Sequence, residues 1–267
     1  MQSQTFCNQP VQSPHYERLK QYDVPRWRSS TASLDFLLET PSVAETIVYR
    51  SIIIATQQLS WLFGQLLRAC YSVSMHGPVQ LFEDRSRHCL ILAPTHKSYL
   101  DPWLLMIGLR YRYFRALVPV RTLATQDPRG ALRWFMPLIK ILYWLGGVLQ
   151  LPPEARDDRS LPEKLRGVLV ALKHGDVVMI FPEGEIHSGP DIGTFAPGVI
   201  YVYKRLGAPI VPIATWISEQ RWPRRRYVVQ FGLPVHVPDN LDQDAGAAWL
   251  REQVLNLYND MKLREER

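Results

Sequence analysis

Cysteine is scarce: Cys7, Cys70 and Cys89 are the three in 267 residues, an odd number with no C-x-x-C spacing. That excludes a disulfide scaffold and a cysteine-rich zinc site, and points to free thiols in a reducing compartment. Also missing is the charged start followed by an apolar run that a secretory signal needs; residues 1–33 are instead rich in Gln, Ser and Pro and read as a loosely ordered arm. The longest stretch without a charge, Ser51 to Leu67, is seventeen residues bounded by Arg50 and Arg68. As a helix it spans about 25 Å, short of the ~30 Å hydrocarbon core of a bilayer. Gln57, Gln58 and Gln65 interrupt it further, and the chain carries no internal repeat.

What remains is an ordinary globular composition, 46% hydrophobic and 21% charged, which excludes wholesale disorder and collagen. The length fits one α/β domain with appendages. A net charge of +6 implies an anionic partner, either nucleic acid or an acidic membrane surface.

Between Val43 and Met75, the residues Ile52, Leu59, Leu62, Leu66 and Cys70 recur at helical intervals, with Gln58, Gln65 and Arg68 toward the other side. This predicts an amphipathic membrane-associating helical segment over 34–75 that dips into the interface; a soluble helix packed on the domain is the competing reading. The remainder, 76–267, alternates short apolar runs with helical patterns. Strands are predicted at Cys89–Ala93, Ala116–Val120, Val177–Phe181, Ile210–Ala214 and Tyr227–Phe231. Helices are predicted at Pro102–Leu109, Gly130–Leu145, Pro162–His174 ending before Gly175, Gly198–Leu206 ending before Gly207, and Ala247–Leu263. The fold class is therefore α/β, a mixed or largely parallel sheet flanked by helices.

Two stretches carry candidate chemistry. In Pro94-Thr95-His96-Lys97-Ser98-Tyr99-Leu100-Asp101-Pro102 a histidine follows a buried strand and an aspartate opens a helix. Asp101 before Pro102 is also an ordinary helix N-cap, which needs no catalysis. A carboxylate fixed there can accept an imidazole N–H and select the tautomer whose other nitrogen is free to take a proton, making His96 a general base. In Phe181-Pro182-Glu183-Gly184 an acid lies between Pro and Gly after a second strand, which is equally the composition of a plain turn.

In this order, followed by Gly207-Ala208-Pro209-Ile210-Val211-Pro212-Ile213, these motifs resemble the glycerolipid and lysophospholipid acyltransferase family of the 1-acyl-glycerol-3-phosphate acyltransferase type. The resemblance covers roughly residues 75–235, and Glu183 follows His96 by 183 − 96 = 87 residues. The family's second block, a basic residue followed by a proline-containing amphipathic helix and a glycine pair, is matched by Arg121 to Gly147. The resemblance implies a glycerolipid acyltransferase-like fold and direct acyl transfer from an acyl-CoA or acyl-ACP thioester to a lysophospholipid hydroxyl, without an acyl-enzyme. It implies His96 and Asp101 as catalytic residues, and Arg121, Glu183, Gly184 and His187 as substrate-binding residues. No bound cofactor and no metal are implied. The absence of a Gly-x-Ser-x-Gly elbow agrees with a mechanism that does not use a serine nucleophile.

Two departures from the family pattern bear on the acceptor. Glu185-Ile186-His187-Ser188 stands where Thr-Arg-Ser is usual, and Val148 to Pro153 lacks the arginine that follows the glycine pair in many relatives. Both arginines are candidate phosphate ligands, so the acceptor is either the family's phosphate monoester, with His187, Arg121 or Arg156 substituting, or a lyso-lipid with another headgroup. The clusters Arg110 to Arg115 and Arg221 to Arg226 interleave arginine with aromatics. With the acyltransferase motifs present, they favour membrane lipids over nucleic acid as partner, and the cytoplasmic membrane face as location. A catalytically idle lipid- or carrier-binding protein on the same fold is the alternative, and the intact His96 and Asp101 argue against it.

Overall fold

The computed structural model describes residues 43–83, 90–125, 136–151, 160–187, 189, 191–218 and 224–265. The chain divides into two compact units, 1–46 and 47–267. Of the first, only the opening residues of a helix are described, and the predicted arm over 1–33 lies outside the described residues, as do Cys7, Cys89 and Arg156.

The second unit is built on a seven-stranded sheet. In chain order the strands are β1 (Tyr71–His76), β2 (Ile91–Pro94), β3 (Val120–Thr125), β4 (Leu149–Leu151), β5 (Val177–Met179), β6 (Ile210–Ile217) and β7 (Arg225–Phe231). They lie side by side in the order β1-β7-β6-β2-β5-β3-β4, and every neighbouring pair is parallel except β6 with β7. The helices are α1 (Val43–Gly64), α2 (Asp101–Gly108), α3 (Tyr111–Leu117), α4 (Met136–Gly146), α5 (Leu161–Lys164), α6 (Arg166–Lys173), α7 (Gly198–Leu206) and α8 (Gln243–Glu265). This is the α/β architecture, with a mostly parallel sheet flanked by helices, that the alternating pattern predicts.

The period-two rule of strands divides the core between two faces. Ile91, Val178 and Ile210 point to one side, where Val168 and Leu172 of α6, Ile200 of α7 and Leu250 of α8 cover them. Leu92, Val177, Met179 and Val211 point to the other, under Leu104 and Leu105 of α2 and Phe114 of α3. The helix–stop pairs end as the sequence demands: Gly207 after α7 adopts φ +63 and Gly175 after α6 adopts φ +77, left-handed conformations that favour glycine.

Three local predictions are corrected. The helical pattern through Val43–Met75 stops at Gly64; a 3₁₀ turn, Gln65–Ala69, follows, and Tyr71–His76 joins the sheet as β1 alongside β7. A Cβ at Gly64 would lie 2.3 Å from Ile107 Cγ2, so glycine is what lets α1 end against α2. Cys70, assigned to the helical stripe, falls just after the turn. Of the apolar run Ala116–Val120 only Val120 is in a strand, as the first residue of β3: the run opens on the end of α3, whose Tyr113, Phe114 and Leu117 share one buried face, and Pro119 separates that helix from β3. Finally, Pro162–His174 is two helices broken at Leu165 rather than one. Of the helix predicted over Gly130–Leu145, the residues before Met136 lie outside the described ones.

The basic clusters resolve differently. Tyr113 and Phe114 are buried while Arg110, Arg112 and Arg115 are exposed. The Trp61 ring of α1 lies 5.1 Å from that of Tyr111 and 5.9 Å from that of Phe114, so these aromatics tie α3 to α1 rather than offering free stacking faces. In the second cluster Arg226 pairs with Glu265 and Arg224 Nη1 donates to the Arg68 carbonyl at 3.2 Å; Arg221 to Pro223 lie outside the described residues.

Candidate active site

The site forms where β2 and β5 end side by side. Thr95, fully buried, locks the end of β2 to β6: its hydroxyl meets the Thr215 hydroxyl at 2.8 Å and accepts the Thr215 N–H at 2.9 Å. The next residue is His96, so its backbone starts from a fixed point. Its imidazole Nδ1 lies 3.0 Å from Asp101 Oδ2, and its ring stacks on Phe181 with centroids 4.0 Å apart at 25°. An ionised carboxylate only accepts hydrogen bonds, so the contact assigns the proton to Nδ1 and leaves the Nε2 lone pair free.

Asp101 does not cap its helix. The N-cap of α2 is Leu100, without a side-chain bond, and Asp101 is already the first helical residue. Its carboxylate turns back instead: Oδ2 accepts the N–H of Lys97 at 2.6 Å and that of Ser98 at 2.8 Å, besides the His96 ring. The N-cap reading is thus replaced by a carboxylate that organises the turn holding His96. The residue is 0% exposed, which strengthens each of these contacts relative to water.

Glu183, at the tip of the β5 turn and 7% exposed, joins the two strand ends. Oε2 accepts the His96 N–H at 2.8 Å and Oε1 accepts the Gly193 N–H at 3.0 Å. Gly184 takes φ +73 and closes the turn through its N–H to the Phe181 carbonyl at 3.1 Å; a Cβ there would meet nothing within 4 Å, so the requirement is conformational. His187 donates its N–H to the His96 carbonyl at 2.8 Å, and its ring lies flat on Gly193, where a Cβ would come within 2.7 Å of it. Its Nδ1 is buried without a hydrogen-bond partner, and its Nε2 is 3.7 Å from the exposed Glu185.

Arg121 is not brought to this group. Its Nε donates to Asp176 Oδ2 at 2.9 Å, Arg50 pairs with the other oxygen of Asp176 at 3.0 Å, and the Arg121 guanidinium lies over the Tyr49 ring. Arg121 and Ile91 are both level with Val178, so Arg121 sits five residues short of His96 along the parallel strands.

Lys97 is the participant that sequence reasoning passed over. It is 5% exposed, and its Nζ donates to the carbonyls of Gly189 at 3.0 Å and Asp191 at 2.5 Å. Burial lowers its pKa, against the charges of Glu183, Asp191 and Asp101. With Arg251, which donates to the Ile192 and Gly193 carbonyls at 2.9 and 2.8 Å, it pins the loop that faces Glu183. Lys97 lies inside the His-x-x-x-x-Asp stretch, but nothing local distinguishes a buried lysine from a solvated one. Tyr227 of β7 is fully buried nearby, its pKa raised well above 10 by burial first and by the Asp101 charge second. Among the described residues no group of three His, Cys, Asp or Glu is placed to hold a metal ion.

Comparison with known proteins gives two findings. The solved structure of the 1-acyl-sn-glycerophosphate (LPA) acyltransferase PlsC from Thermotoga maritima is similar to this chain with a TM-score of 0.50 over 85% of each chain, at 17% identity, a likeness of fold. The family model described as Acyltransferase matches residues 73–216. That segment is more than half of the chain and contains the His96–Asp101 pair and Glu183, and on its extent this protein belongs to the acyltransferase family.

Proposed function

We propose that this acyltransferase moves a fatty acyl group from a thioester, carried by coenzyme A or acyl carrier protein, onto the hydroxyl of a lysophospholipid. The observation that carries the reading is the pairing of His96 Nδ1 with the fully buried Asp101 at 3.0 Å. Nε2 then removes the acceptor's hydroxyl proton as its oxygen attacks the thioester carbonyl. On collapse of the tetrahedral adduct the C–S bond breaks, and the imidazolium returns the proton to the leaving thiolate. Such proton transfer contributes about 10²–10⁴-fold. Glu183 acts by fixing the His96 backbone, while Gly184 and His187, beside it, are the proposed acceptor contacts.

The acceptor we assign is 1-acylglycerol-3-phosphate, in phospholipid synthesis or remodelling. One observation favours a second reading, a lyso-lipid without a phosphate monoester: the Arg121 guanidinium is engaged by Asp176 and so is not a ready substitute for the arginines missing after Gly147 and Gly184. The test is thiol release from acyl-CoA and acyl-ACP with a panel of lyso-lipids. Release that requires acceptor and vanishes in His96→Ala supports acyl transfer. A preference for lysophosphatidic acid above tenfold supports the first acceptor; equal use of another headgroup supports the second.

We further propose that the enzyme works on the cytoplasmic face of an acidic bilayer, which it enters without crossing; among the described residues no helix is long and apolar enough to span a membrane. Leu59, Leu62, Phe63 and Leu66 in and after α1 are each more than half exposed, as are Ile141, Leu142 and Trp144 of α4. The two helices are neighbours: the rings of Tyr49 and Trp144 are 5.1 Å apart, and Gln57 Nε2 donates to the Gly146 carbonyl at 2.9 Å. Exposed Arg68 and Lys140 beside these apolar residues suit an anionic lipid surface.

A further inference from the structure

Asp101 has a second oxygen that the dyad does not explain. Oδ2 receives three N–H groups, whereas Oδ1 is buried and meets no hydrogen-bond partner. A carboxylate oxygen left bare in the interior costs free energy that a nearby donor would recover. The hydroxyl of Tyr227 is in the complementary position: it too is buried with no partner at bonding geometry, on a side chain that is 0% exposed. The strand pairing explains how it gets there. Tyr227 opposes Ile217 on β6, two positions from Thr215, the residue that clamps Thr95 immediately before His96.

We infer that Tyr227 is a positioning residue that donates its O–H to Asp101 Oδ1, holding the carboxylate in the orientation in which Oδ2 receives the His96 ring. The inference rests on the catalytic role proposed for His96 and Asp101. Burial first, then the charge of Asp101 and its hydrogen-bonding interaction with the hydroxyl, hold the Tyr227 pKa well above its ordinary value, while the Thr215 side chain, which also faces that hydroxyl, acts the other way, so Tyr227 stays protonated and able to donate. Without that bond, Asp101 turns more freely and its charge is less well satisfied, so it holds the imidazolium form of His96 more strongly.

The test is Tyr227→Phe, which removes one oxygen from a packed site, assayed as thiol release together with Asp101→Asn and the double variant. The other ionisable groups around the pair, Lys97, Glu183 and His187 with Asp191 and Lys262 beyond Lys97, are unchanged in all of these proteins. Tyr227→Phe is expected to lower kcat about tenfold with both KM values held, and to move the acid limb of the kcat profile upward by about half a pH unit or more. In the Asp101→Asn background the same change is expected to cost less than about twofold, because the group it acts through is gone. Equal losses in both backgrounds, or an acid limb that does not move, overturn the inference and leave Tyr227 a core residue. If Tyr227→Phe does not fold, 3-fluorotyrosine at position 227 keeps the shape and strengthens the donor. It is expected to shift the acid limb downward, and an unchanged limb overturns the inference equally. A chain with no acceptor-dependent thiol release in the unaltered protein would fail the proposed function itself, a separate result.

Discussion

The backbone N–H of His96 donates to Glu183 Oε2 at 2.8 Å although 87 residues separate them in the chain, and the other oxygen of the same carboxylate holds the Gly193 N–H at 3.0 Å. Both oxygens are thus spent on backbone, in a residue with almost no exposed surface, so Glu183 sets where His96 stands. The amide of Glu183→Gln offers one oxygen and one N–H₂, and one of the two backbone N–H groups must lose its acceptor. A lost charge-assisted bond costs about 1.5–3 kcal/mol. In a domain of this size that is roughly 3–10 °C in Tm. We expect kcat to fall with both KM values held; a selective rise in the acceptor KM would show instead that Glu183 contacts the acceptor.

Asp101→Asn separates charge from shape. An amide oxygen in the Oδ2 position keeps the Lys97 and Ser98 N–H groups and the His96 ring, but has no charge to stabilise the imidazolium. Acyl transfer is expected to fall by about 10²–10⁴-fold while the circular dichroism spectrum is unchanged. Full activity in a folded Asp101→Asn enzyme would mean that Asp101 only shapes the turn.

Alkaline stability follows from the buried phenols. The folded pKa of Tyr227 lies well above 10, so above pH 10 the unfolded chain releases this proton while the folded chain keeps it. The folded state then binds more protons, and the stability of the protein falls by about 1.4 kcal/mol per pH unit from that group. Tyr258, raised by burial and then by Asp191 and Glu183, adds to the same loss. Lys97 runs the other way: its folded pKa is below 10.5, so stability gains as pH climbs from that value to 10.5 and the gain then ends. Denaturant titrations between pH 8 and 12 should therefore show a steep loss above about pH 10.5 that is shallower in Tyr227→Phe. Superimposable pH curves for the two proteins would refute the assignment.

Membrane attachment is expected to rest on apolar insertion more than charge. High salt shortens the screening length to about 3 Å at 1 M and so weakens charge attraction alone, and most of the protein should stay on the membrane. Ile141→Glu with Leu142→Glu should weaken binding to vesicles containing anionic lipid by tenfold or more, since burying one such side chain contributes about 1.5–3 kcal/mol. Complete release by salt, or wild-type binding of the double variant, would refute insertion through α4.

Much of this fold is legible in the sequence wherever neighbours in the chain are also neighbours in space. Helix α7 begins and ends as its periodicity and Gly207 require. The five-residue step from His96 to Asp101 is a turn that closes on itself, so the pair is readable before any tertiary contact is known. The errors fall where distant segments decide. The stretch Tyr71–His76 lies, but for its last residue, in the predicted helical segment, although Tyr71, Val73 and Met75 alternate with Ser72, Ser74 and His76 as a strand does, and six residues of β7, more than 150 positions away, pair with it in the sheet.

The sequence alone was therefore sufficient for the α/β class, the alternating core and the two motifs, because these depend on period, glycine conformation and short spacings. Only the tertiary structure turned Asp101 from a cap into the partner of three N–H groups, engaged Arg121 with Asp176, and brought Glu183 to the backbone of His96. Hydrogen bonds and ion pairs depend on distances of about 3 Å. For residues dozens of positions apart, such distances follow from strand order and register, which no local pattern encodes.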